Sequence, residues 1–418
     1  MIWQVFPIEE IRSRFPSLDR KIEGRQAVFF DGPGGSQVPT SVTNAMSEYL
    51  LRSNANTGMS FATSLETDEI ISEALIACAD FIGCDDYSEV IFGQNMTSLN
   101  FQLAGALSRT WGPNDEVVVT RLDHDGNVGP WALAADWSGA KLRKIGIKPE
   151  DCTLDMESVN EAITERTVLV AVGAASNLSG TINDVKKIVQ IAHSVGAEVV
   201  VDAVHFAPHS LIDVSEMGCD FLLCSPYKFF GPHQGLLWGK KERLEDLPVA
   251  KLRVASEEIP FRWMTGTQSH EGMAGTKAAI EHIAWIGREA SGNAELSRRD
   301  ALIEAFRAIE KYEQALCLRM LEGLGAIEGL RIWGISDPNR ISERAPTVSF
   351  THPSMSAKEI GEKLAERGVF VWAGNFYALE LTEALGLEPE GVLRAGVLHY
   401  NSMEEVEFFV ESVAEILD

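Results

Sequence analysis

The 418-residue chain is short of positive charge, holding 36 Lys and Arg against 61 Asp and Glu for a net charge of −25. That balance excludes a basic footprint for nucleic acid and argues against attraction to anionic lipid. No apolar run reaches the roughly 18 residues of a membrane span, and the start "MIWQVFPIEEIRSRF" carries no basic segment ahead of an apolar one. The expected setting is cytoplasmic and the expected partner a small molecule. Thiols are few: Cys78, Cys84, Cys152, Cys219, Cys224 and Cys317 form no CxxC pair and no dense framework, so they read as reduced and buried. None lies beyond 317. Internal repeats, low-complexity segments, a Walker lysine motif and HExxH are all absent. "GPGGSQ" (32–37) lacks the third glycine of a dinucleotide fingerprint.

What is present alternates. "SEVIFG" (88–93), "DEVVVT" (115–120), "TVLVAVGA" (167–174) and "AEVVVDA" (197–203) read as strands, most of them apolar on both faces. Between them, Leu99, Leu103, Leu107 and Trp111 recur at helical spacing, and "DVKKIVQIAHSVG" (184–196) is an amphipathic helix ending at glycine. Strand and helix in alternation predict an α/β protein with a parallel sheet covered by helices. "CDFLLCS" and "GLLWGKK" add two strands. After residue 290 the texture changes to a long helical pattern, "RRDALIEAFRAIEKYEQALCLRMLEGL", followed by "APTVSFTH", "SAKEIGEKLAERG" and "GVLRAGVLHYN". The division expected is an arm over 1–30, a large domain over 31–290 and a small α/β domain over 291–418.

In open parallel sheets, ligands bind beyond the carboxyl ends of the strands. Asp202 ends one strand, and Lys228, in "CSPYKFFGPHQG", follows the next. Lys228 could lay its stem on the neighbouring aromatics with its ammonium in water, or be desolvated to form a Schiff base with an aldehyde cofactor. Asp202 could be a cap or turn residue, or the partner of a pyridinium nitrogen. Thr97 and Ser98 stand where a strand gives way to a helix, as a plain cap or as phosphate donors. His124, in "TRLDHDGNVGPW", could be a turn residue, a ring stacked on a cofactor, or a metal ligand without companions. His205 and Asn177 end other strands on the same edge.

Taken in order, "FFDGPGGSQVP", "LDHDGNVGPW", "ASNLSGTIND", "VVVDAVHFAPH", "CSPYKFFGPHQGLLWGK" and "LRAGVLHYNSMEEVEFFVESV" resemble the class V aminotransferases of pyridoxal-phosphate fold type I. Within them they resemble the cysteine desulfurase and isopenicillin N epimerase branch. The resemblance implies a mostly parallel seven-stranded sheet between helices plus a smaller C-terminal α/β domain. It implies pyridoxal 5′-phosphate as cofactor, with Lys228 as Schiff-base lysine, Asp202 on the ring nitrogen and His124 on the ring face. Asn177 and His205 join the cofactor site. Phosphate contacts fall to Thr97, Ser98, Ser225 and Tyr227, and to Thr267 of "GTQSH" from a neighbouring subunit, which implies a homodimer with shared active sites. Arg394 matches the arginine that holds an amino-acid carboxylate.

Tyr227 and His205 replace the histidine and glutamine usual in desulfurases. In "VWAGNFYALEL", Tyr377 stands where desulfurases carry their sulfur-accepting cysteine, beside the substrate. The reading is a lyase acting at Cα and Cβ of an amino acid without an enzyme persulfide, with aminotransfer or epimerisation as the alternative. A non-catalytic protein that kept the fold is the reading from another class.

Overall fold

The structure is a computed structural model describing residues 6–418. Its centre is a seven-stranded sheet: β1 (Val90–Gly93), β2 (Glu116–Thr120), β3 (Lys141–Ile145), β4 (Thr167–Gly173), β5 (Glu198–Asp202), β6 (Phe221–Cys224) and β7 (Gly235–Gly239). In space the order is β1-β7-β6-β5-β4-β2-β3, and only β7 runs antiparallel to its neighbours. The runs Val117–Val119, Leu169–Val172 and Val199–Val201 are fully buried, because helices cover both faces of a parallel sheet. The sheet thus has the mostly parallel, seven-stranded form expected, and the strand β4 and helix Val185–Ser194 fall where the apolar periodicity put them.

Two long helices follow, α1 (His270–Ser291) and α2 (Arg298–Gly325). They touch so closely at Gly287 that a Cβ there would lie 1.8 Å from the Ala301 carbonyl oxygen. Only glycine lets these backbones meet. Beyond them an antiparallel sheet holds β8 (Arg331–Trp333), β9 (Thr347–Thr351), β10 (Trp372–Gly374) and β11 (Val392–Gly396) in the order β8-β9-β11-β10. Helices Ala357–Glu366 and Met403–Leu417 each start with a capping box, Ser356 with Glu359 and Ser402 with Glu405.

The first segment of the chain lies against this second sheet. Phe6 stacks on Tyr312 at 4.1 Å, Arg12 pairs with Glu405 at 2.9 Å, and Val28–Phe29 runs parallel to Val369–Phe370. The first five residues of the expected arm lie outside the described residues. Where the two sheets approach, Thr347 Oγ1 lies 3.0 Å from His205 Nε2, and Ser349 Oγ donates to the Leu178 carbonyl at 2.6 Å. The carboxyl edge of the large sheet is thereby roofed by β9, β11 and the loop after β10.

Candidate active site

The carboxyl ends of β2, β4, β5 and β6 open into one cavity of about 290 Å³. Its walls include Thr97, His124, Asn177, Asp202, His205, Ser225, Tyr227, Lys228, Tyr377 and Arg394. One expected residue is elsewhere: Ser98 is exposed and faces a separate concavity, shared with Thr267, which was expected to act on a neighbouring subunit's site. The reason for Ser98 is rotation about the helix Met96–Leu107. Asn95 is its N-cap and accepts the Ser98 N–H at 2.8 Å, which leaves the first-turn amides of Met96 and Thr97 for a ligand. Gly235 allows that helix end to press on β7, since a Cβ would lie 2.3 Å from the Asn95 carbonyl carbon.

Lys228 sits in a short turn after β6, its ammonium donating to the Pro33 carbonyl. Burial above all, and then the Arg394 charge, pushes the amine down to about 7, with Asp202 opposing. Asp202, at the last position of β5, is buried, and one oxygen accepts the Val204 N–H at 2.9 Å. Burial raises its carboxyl to about 6. His124 accepts the Gly126 N–H at Nδ1, 2.8 Å away, which leaves Nε2 to carry the proton of the neutral ring. Burial, then the Lys228 and Arg394 charges, lower it to about 4. His205 is likewise held neutral by burial. Tyr227 stacks on His233, centroids 5.2 Å apart.

Arg394 projects from β11, opposite Ser349 of β9. It is buried, donates to the Asn177 carbonyl at 2.7 Å and lies 3.8 Å over the Phe376 ring. Its Nε and the Asn177 Oδ1 are buried without a protein partner among the described residues. Unpaired buried polar atoms at one place are what an absent ligand leaves behind.

The family model for class-V aminotransferases matches residues 28–409. The chain belongs to that family. It is 32% identical to the aminotransferase-like protein FGM3 of Gibberella zeae over 99% of each chain. It is also 32% identical to a probable cysteine desulfurase of Halalkalibacterium halodurans over 95% of each. The solved structure of a cysteine desulfurase from Thermococcus onnurineus superposes with a TM-score of 0.86 at 28% identity, covering 99% of this chain and 98% of the other. The cysteine desulfurase CsdA of Escherichia coli gives 0.84 at 25% identity, over 99% and 100%. The chain is accordingly a pyridoxal-phosphate-dependent enzyme of fold type I.

The class-V cavity fits the family's cofactor by the chemistry of its donors. It offers an amine of lowered basicity for the aldehyde, a buried carboxylate for the ring nitrogen, a neutral imidazole and the apolar Val204 for the ring, and helix amides with Thr97, Ser225 and Tyr227 for phosphate. The orphaned Arg394 Nε marks a second, anion-accepting place beside it, where the orphaned Asn177 Oδ1 is left to accept from a ligand donor.

Sequence reasoning missed several residues here. Asp123 lines the cavity, buried, with both oxygens 3.0 Å from the Gly173 amide and one 2.9 Å from Asn127; burial pushes it up to about 7. Pro33, Gly34, Trp372 and Phe376 also line it. The signal for the first two was "GPGG": a Cβ on Gly34 would stand 2.8 Å from the Trp372 indole nitrogen. No local signal announced Trp372 or Phe376, which reach the cavity only because β10 pairs with β11.

Proposed function

We propose that this enzyme cleaves a bond at Cβ of an amino acid by elimination, without passing sulfur to an enzyme thiol. The observation that carries the reading is the convergence of Lys228, Asp202 and Arg394 on one cavity that no cysteine lines. When bound, pyridoxal 5′-phosphate supplies an aldehyde for the lysine and an electron-withdrawing ring that stabilises negative charge at Cα.

The chain's own residues supply the rest. Arg394 receives the substrate carboxylate in a fork of charge-assisted hydrogen bonds and so fixes which Cα bond faces Lys228. Near pH 7 the Lys228 amine is about half neutral, so Nζ can take the Cα proton. The Asp202 carboxylate holds a proton at the ring nitrogen, in a setting too buried for water to compete. Hydroxyls of Thr97, Ser225 and Tyr227, with the Met96 and Thr97 amides, receive the phosphate.

The segment Val371–Ala378 contains no cysteine, and Tyr377 stands in it. A phenol forms no persulfide, so transfer of sulfur through this loop has no acceptor. The enzyme works as a homodimer in which Thr267, outside its own chain's cavity, completes the partner's phosphate site. Residues 31–290 form its cofactor-binding domain, 291–418 its small domain, and 1–30 an arm on the small domain. Its place is the cytoplasm; no helix among the described residues is long and apolar enough to cross a membrane.

The test is to incubate cofactor-loaded enzyme with L-cysteine and with β-chloro-L-alanine and to quantify pyruvate and alanine. Pyruvate supports the reading. Alanine from L-cysteine, or neither product from either compound, overturns it, and racemisation or amino transfer of the substrate instead establishes the alternative.

A further inference from the structure

The segment that closes the cavity spends conformational energy to put two aromatic rings at its mouth. Phe376 and Tyr377 both have left-handed backbones, at φ 55° and 60°. For residues other than glycine this region is strained, because Cβ crowds the backbone. The strain is held from both sides of the site. Asn177, which receives Arg394 on its carbonyl, donates its amide to the Phe376 carbonyl at 2.9 Å. Asp125, next to His124, donates its backbone N–H to the Tyr377 carbonyl at 2.6 Å. Tyr377 is therefore located at once from the carboxylate end and from the ring-stacking end of the cavity. Its ring lies 5.4 Å from that of His124, and it is 71% exposed. Its hydroxyl has no protein hydrogen-bond partner among the described residues.

The other proton carriers in the cavity have other partners or other tasks. Lys228 is placed to take the Cα proton, and His124, held at Nδ1 by Gly126, is given to the face of the cofactor ring. His205 is tied to Thr347, the Tyr227 hydroxyl is given to the phosphate in the reading above, and Asp123 holds the Gly173 amide. Elimination needs one more group: as the Cα–H pair becomes the Cα=Cβ bond, the Cβ–X pair departs with X, and a basic X must be protonated.

Resting on the elimination proposed above, we propose that Tyr377 is the general acid that protonates the leaving group. Its Oη gives a proton to X as the Cβ–X bond breaks, and the phenolate takes one back from solvent. The Cα proton stays on Lys228 until product leaves. The sum is amino acid to enamine plus HX, and water converts the enamine to pyruvate and ammonia, with no oxidant or reductant consumed.

The experiment compares leaving groups in Tyr377→Phe, which keeps the ring and its packing. Chloride needs no proton, whereas methanethiolate does. The variant should retain turnover of β-chloro-L-alanine within about threefold and lose roughly 100-fold or more on S-methyl-L-cysteine. Amino-acid affinity, read from the shift of the visible absorbance band on titration, should stay unchanged. Equal losses on both substrates, or no loss on either, overturn the proposal. So does a wild type that accepts chloride but no thiolate or hydroxide leaving group, since an acid would have nothing to serve. Failure of the wild type on β-chloro-L-alanine itself is a different result: it removes the elimination reading.

Discussion

Arg394 rests its guanidinium on the face of Phe376, 3.8 Å from the ring centroid, so the group proposed to hold a substrate carboxylate is oriented by the same strained loop that carries Tyr377. A buried cation with an unpaired Nε has few other anchors: its Nη1 bond to the Asn177 carbonyl is the one hydrogen bond it donates among the described residues. Phe376→Leu should therefore let Arg394 wander without emptying the cavity. The expected result is weaker amino-acid binding by about 2- to 30-fold, the span of a cation–π contact of roughly 0.5–2 kcal/mol. Cofactor affinity, measured by absorbance titration, should not change. Arg394→Ala should weaken amino-acid binding further, by roughly 10- to 100-fold or more, the cost of a charged hydrogen bond.

Lys228 gives a pH signature. With its amine lowered to about 7, chiefly by burial, the neutral nucleophile gains population up to that pH and little beyond it. Mixing cofactor-free protein with pyridoxal 5′-phosphate and following the visible band should give a capture rate that climbs from about pH 5.5 and levels off by about pH 8. A lysine of ordinary basicity, near 10.5, would still be accelerating at about pH 9, and that outcome would refute the desolvation argument. Lys228→Ala should show no band that borohydride can fix to the protein.

The large sheet was legible because burial on two faces leaves no polar alternation: Val117–Val119 and Val199–Val201 announce strands on their own. Asp202, at a strand end, was legible for the same reason, since strand position sets which edge it faces; Asn177, expected to end a strand, lies in the turn four residues beyond Gly173. What could not be read was rotation and long-range approach. Thr97 and Ser98 are neighbours in sequence, yet only Thr97 lines the cavity, because the Asn95 cap sets the helix phase. Phe376 and Trp372 belong to the site through pairing of Trp372 with Arg394 across β10 and β11, a contact that no local pattern records.

Asp202→Asn separates the role of charge from that of shape. The Val204 amide can still find an oxygen at this position, so the fold should persist. The wild-type carboxyl titrates at about 6 in the folded chain against an ordinary 3.8, so folding is penalised above pH 6 and unaffected below about pH 4. At pH 8 Lys228 is mostly neutral and loses little by the change. The cofactor-free variant should thus melt at or above the wild-type temperature at pH 8, while turnover of the loaded variant falls roughly 100-fold or more, for want of a charge to hold the ring proton. A variant that melts lower at pH 8 and keeps its turnover would assign Asp202 to the scaffold.

Thr267 is exposed and lines a concavity separate from the cavity of its own chain, so its predicted contact with phosphate requires a second copy. Sedimentation should show a dimer at assay concentration. A sharper measurement mixes two inactive variants, Lys228→Ala and Thr267→Ala, after unfolding or long exchange. If Thr267 acts across the interface, each mixed dimer holds one site with both defects and one site with neither, since a two-fold dimer repeats the same contact twice. Random mixing then restores about a quarter of the wild-type sites, half the dimers being mixed and half their sites intact. If Thr267 served its own chain, every site in the mixture would carry one defect and activity would not recover.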